Sequence, residues 1–139
     1  MINQGKTFMK TYLKLSCTVI LALFLFSIGC STSSVYKTFE EQVEITISGM
    51  ITLLEQGSYY DLVRDYADPE YVNEKGGVEA VVRNFDEEDK IELLKYLKIA
   101  QEMLPLVDRE NLTATFSSEE LPRAIVFQKK SGRWYLLND

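Results

Sequence analysis

The chain of 139 residues contains no histidine, only two cysteines and only three prolines. Without histidine it can build no Ser–His–Asp triad, no Cys–His pair and no histidine-ligated metal. Cations are outnumbered, with 15 Lys and Arg against 21 Asp and Glu and a net charge of −6. That balance argues against a nucleic-acid partner, whose phosphates call for positive charge. Only one long apolar run is present, and at 14 residues, Leu15 to Ile28, it is shorter than the about 20 residues a membrane-crossing helix needs. What remains, 46% hydrophobic and 26% charged, is the composition of a folded protein, and the length holds one small domain.

The charge is unevenly placed. Lys6, Lys10 and Lys14 stand alone at the N-terminus, and beyond residue 30 the remaining 12 basic residues face 21 acidic ones, a balance of −9. A basic head, a short apolar run and an acidic body form the layout of an exported chain. Met9 is an alternative start, since the segment from it to Cys30 is a complete leader by itself. The run ends in Phe26-Ser27-Ile28-Gly29-Cys30, which resembles the lipobox of bacterial lipoproteins. The resemblance implies that Cys30 carries a diacylglyceryl (palmitate-type) group on its thiol and that the bond after Gly29 is cut. Ser27 departs from the leucine usual at its position. Cys17 leaves with the leader, so the mature chain forms no internal disulfide. Ser31 to Ser34 read as a flexible tether. Ser31 is not the aspartate that retains such proteins at the inner membrane, so the resemblance implies the outer membrane in a Gram-negative cell, or the outer face of the cell membrane in a Gram-positive one. The expected organisation is leader 1–29, lipidated Cys30 and tether 30–34, and one domain over 35–139.

Within that domain, Phe39, Val43, Ile47, Met50, Ile51 and Leu54 recur at helical spacing, predicting a helix from Val35 to Gln56 that ends at Gly57. Ser58, with Asp61 three residues on, reads as the cap of a second helix carrying Tyr59, Leu62, Val63 and Tyr66 and stopped at Asp68-Pro69. Gly76-Gly77 opens a short helical segment with Val78, Val81, Val82 and Phe85. Asp86 reads as the N-cap of a long helix to Leu104, stopped by Pro105, with Leu93, Leu97 and Ala100 on its stripe and Ile91 and Leu94 beside it. The period then falls to two. Residues 112–116, 123–130 and 133–138 read as three strands, the last two joined by a two-residue turn at Ser131-Gly132. That turn sets Phe127 opposite Leu136 and Val126 opposite Leu137, on opposite faces, so a second apolar face needs a cover.

Helices followed by an antiparallel sheet define a segregated α+β fold. Leu53 to Tyr59, the break from Tyr66 to Pro69 and the closing Val126 to Tyr135 resemble small secreted domains of the nuclear-transport-factor-two-like superfamily. The resemblance implies an α+β cone in which a sheet wraps a long helix. Three strands are fewer than that family usually has.

Catalytic signals are few. Asp61 and Asp65 beside Tyr66 are the candidate proton-transfer group of an isomerase or dehydratase, the enzymes the resemblance would imply, yet capping and solvation explain both acids. Asp86 to Asp89 lack the spacing of a calcium loop and suit a helix start. No motif calls for a cofactor or a metal. Asn111-Leu112-Thr113 matches a glycosylation sequon that means little in a bacterial lipoprotein. Tyr59, Tyr66, Trp134 and Tyr135 are the candidate pocket or interface residues, with Trp134 and Tyr135 on opposite faces. The expected role is a non-catalytic, membrane-anchored binding or interaction module. Its expected partners are a second copy or another envelope protein, or a small apolar ligand; the alternatives are the enzyme and a purely structural envelope component.

Overall fold

The computed structural model describes residues 37–137. The leader, Gly29, Cys30, the tether, the expected helix start at Val35 and the strand end at Asn138 lie outside them. The described chain runs through five helices, α1 (Phe39–Glu55), α2 (Tyr59–Tyr66), α3 (Pro69–Glu74), α4 (Val78–Asn84) and α5 (Glu87–Gln101), then four strands, β1 (Leu106–Asp108), β2 (Thr113–Phe116), β3 (Ile125–Lys130) and β4 (Arg133–Leu136). The α+β class read from the sequence holds, with four strands in place of three.

Local chemistry fixes most boundaries. The Thr38 hydroxyl accepts from the Glu41 amide at 3.2 Å, and the Glu41 carboxylate accepts from the Thr38 amide at 2.8 Å. This capping box starts α1 at Phe39, four residues after the expected Val35, and is worth about 1 kcal/mol. At the other end Gly57, at φ +70°, lets its amide reach Leu54 and lets the Ser58 amide reach Leu53, a Schellman closure. Ser58 occupies the cap position of α2, but its hydroxyl makes no capping bond. Asp61 does not take part in a capping box either; it pairs with Arg64 at 2.7 Å.

Asp68-Pro69 ends α2 as expected and also starts α3. The Asp68 carboxylate accepts from the Glu70 amide, and Pro69 sits where a missing N–H costs nothing. Asp86 caps α5 through the Asp89 amide at 2.9 Å. The helix ends at Gln101 rather than Leu104. Leu104 precedes Pro105, which disfavours helical backbone there, and it stands 91% exposed.

The sheet is an antiparallel meander in the order β1-β2-β3-β4. Ser131 (φ +50°) and Gly132 (φ +84°) form the expected two-residue turn, and Phe127 faces Leu136. The Leu137 amide donates to Val126 at 2.9 Å, so that pair also holds. One sheet face, with Ala114, Phe116, Phe127 and Trp134, joins Val43, Ile47, Met50 and Leu54 of α1 and Leu97 and Ala100 of α5 in the core. Each large side chain buried there contributes roughly 1.5–3 kcal/mol. Trp134 stacks edge-on against Phe39 at 5.7 Å, and its indole N–H donates to Gln42 across a long 3.4 Å.

The β4 edge is tied to the helices. Ala67 forms an isolated parallel bridge with Leu136, and the Lys130 ammonium donates to both Asp68 oxygens at 2.9 and 3.0 Å. Asp68 is buried, and this hydrogen bond raises the pKa of Lys130 above its ordinary value. A raised lysine contributes stability that is complete below its unfolded pKa and is lost as pH climbs through the folded one. The tie therefore weakens only in the alkaline range above the ordinary lysine value. Lys130→Gln is expected to cost about 1–3 kcal/mol at neutral pH, because it strips a buried carboxylate of its cation, and to flatten the alkaline limb of the stability curve. Urea unfolding across pH 7 to 11 checks both.

Candidate functional site

The helical layer does not close completely on the sheet. Between the five helices, with α3 contributing Tyr71, and the β3–β4 hairpin lies a cavity of about 460 Å3. Met50 comes from α1, Leu62, Val63 and Tyr66 from α2, Val81 from α4, and Leu93 and Tyr96 from α5. Ile125 and Leu136 enter from the inner sheet face, Val126 and Leu137 from the outer one. The cavity thus draws on both faces of the hairpin and covers part of the second apolar face anticipated from the register. Its charged liners, Lys75, Asp89, Glu92 and Arg123, are all exposed residues, so charge gathers at the opening while the walls stay apolar. The volume falls within the range of small-molecule sites, and Tyr66, Tyr71 and Tyr96 supply polar tips on apolar bodies.

Tyr66 is seated by a glycine. Gly49 lies inside α1, where glycine costs about 0.5–1 kcal/mol relative to alanine. A Cβ there would collide with the Tyr66 hydroxyl and stand 3.2 Å from Cζ. The bare backbone lets the ring lie against the helix. Gly49→Ala is expected to forfeit the usual helix gain and to displace Tyr66, and Tyr66→Phe in that background is expected to restore part of the loss. A double-mutant cycle by denaturant unfolding should give a coupling of about 0.5–3 kcal/mol, and simple additivity would contradict the contact.

The other aromatics singled out from the sequence are not gathered here. Tyr59 packs edge-on against Phe85 at 6.1 Å, with the Lys90 ammonium 4.3 Å from its ring centre. Trp134 belongs to the core, and Tyr135 lies opposite Gln128 on the outer face. Sequence reading missed Phe85 and Leu93 as site residues. The one available signal was Gly49, out of place in a strong helical pattern.

Nor are the candidate acids in the cavity. Arg64 bonds Asp65 at 2.7 and 2.8 Å, and that bond lowers the Asp65 pKa, the opposite of what a general base at neutral pH requires. Among the described residues Asp68 is the only buried charged side chain, and it does not line the cavity. Asp86 serves as a cap, and no group of three or more Cys, Asp or Glu among the described residues could hold a metal ion. No helix among them is long and apolar enough to cross a membrane. No model of a known protein family, no curated protein and no solved structure matched the chain.

Proposed function

We propose that the chain is a lipid-anchored, non-catalytic binding module of a bacterial envelope, carried by Cys30 on the extracytoplasmic side of a membrane. Its domain is a nuclear-transport-factor-two-like cone that takes a small, largely apolar ligand. The observation that carries the reading is the 460 Å3 cavity, walled by Leu62, Val63, Leu93, Ile125 and Leu136 and lacking a buried carboxylate. Such a space can enclose an apolar body and offers tyrosine hydroxyls to orient it, while no group in it is set up to move a proton. The lysine-rich leader and the Gly29-Cys30 junction support the anchor.

The test uses residues 31–139 without lipid and the apolar dye 8-anilinonaphthalene-1-sulfonate as probe. Leu93→Trp fills the cavity and should weaken dye binding by about tenfold or more with the fold retained by circular dichroism. Unchanged binding by that variant would remove the cavity from the reading.

A further inference from the structure

A second concavity lies on the side of α5 turned away from the core. Ile91, Lys95, Lys98 and Glu102 follow one another at steps of four, three and four, which places them on one stripe of the helix. Beside the stripe runs a groove of about 920 Å3, floored by Leu94, Ile99 and Met103 and bounded opposite by Ser118 to Glu120. Large apolar side chains stand out along it: Ile91 is 68% exposed at one end, and Leu104 (91%) and Leu106 (78%) follow directly on its other end. These are the three most exposed large hydrophobics of the described residues.

The charges on this groove are ordered. Lys95 makes no ion pair among the described residues, and neither do Glu102, Glu119 and Glu120, whereas Lys98 is partly committed to Glu55 at 2.7 Å. A partner lying in the groove must therefore bring cations to its acidic end, an anion to Lys95, and apolar side chains to the middle. The exposed stripe of α5 meets that description. An antiparallel second α5, related by a two-fold axis passing between Lys98 and Ile99, sets Lys95 against Glu102 of the second copy, and Glu102 against Lys95 of the second copy. The same operation brings Leu94 to Met103 of the second copy and Ile91 to its Leu104–Leu106 segment. A two-fold interface must be self-complementary, and this stripe is, in both charge and apolar pattern. Spacings of three and four are also those of helices that pack at a shallow angle.

We propose that the α5 groove is the interface of a homodimer, two copies of this chain packed antiparallel through α5. The proposal is independent of the ligand reading, since the groove and the cavity lie on different sides of α5. A single-helix contact is small, so association in the micromolar range is expected.

Sedimentation equilibrium of the full chain in a density-matched non-ionic detergent tests it. The wild type should dimerise at micromolar concentration. Lys95→Glu and Glu102→Lys, each alone, should weaken association by about tenfold or more, because each sets like charges opposite each other. Mixed in equal amounts, the two variants should associate again, since every 95–102 contact then joins opposite charges; this recovery also shows that both are folded. A wild type that stays monomeric to millimolar concentration overturns the proposal. So does a dimer indifferent to both reversals, or a mixture that fails to recover.

Discussion

Phe127→Ala is expected to lower the free energy of unfolding by about 3–5 kcal/mol. Phe127 is fully buried at the centre of β3, opposite Ala114 on one side and Leu136 on the other, with the Phe116 ring edge-on at 6.1 Å. Truncation removes a large apolar surface from contact and leaves a void between strand neighbours and α1 that cannot close without moving the sheet. Domains of this size hold only about 5–15 kcal/mol in all, so the variant should sit close to the limit of folding. Urea denaturation should show a much lower midpoint at nearly unchanged slope. Ile45→Ala, at a half-exposed position of α1, should stay within about 0.5 kcal/mol of the parent. A loss below about 1 kcal/mol at Phe127 would mean that the sheet does not pack as described.

The second large effect is expected at the proposed anchor. Cys30→Ser is expected to abolish both lipid attachment and removal of the leader. Lipid transfer needs the sulfur nucleophile, and a serine hydroxyl, ionising far above a thiol, does not replace it. Processing that depends on prior acylation then halts. Intact mass should show leader retained and no acyl chains, against a wild type that begins at residue 30 and carries them. A processed, soluble Cys30→Ser protein would defeat the anchor, and so would a bare thiol on the wild type, without touching the cavity or the α5 groove.

Features encoded within a few residues were legible. The Asp86 cap, the Gly57 stop and the Ser131-Gly132 turn each depend on backbone chemistry that side chains announce, and the turn fixed the Phe127–Leu136 register. Features that depend on one segment meeting another were not. Asp68-Pro69 was legible as an ending, but the same two residues also start α3, because a proline unable to continue one helix is well suited to begin the next. Leu104 fits the periodicity of α5 and is nonetheless outside it, since the constraint from Pro105 outweighs the pattern. β1 is three residues long, too short for alternation to register. The cavity takes its walls from five helices' worth of chain and two strands, with no spacing in common. Of the four aromatics chosen from sequence, only Tyr66 reaches it, and burial in the core claimed Trp134 instead.

The tie between the helices and β4 has a consequence beyond stability. A sheet margin offers unpaired amides and carbonyls to any extended peptide nearby, and that is how neighbouring molecules zip together into aggregates. Here the β4 margin is engaged by Ala67 at Leu136, its last residue, with the Lys130–Asp68 pair bracing the adjoining hairpin, and the other margin, along β1, spans only Leu106 to Asp108. Three residues give an invading strand too few rungs to hold. Molecules crowded side by side at high density would thus find only short stretches of sheet margin through which to pair.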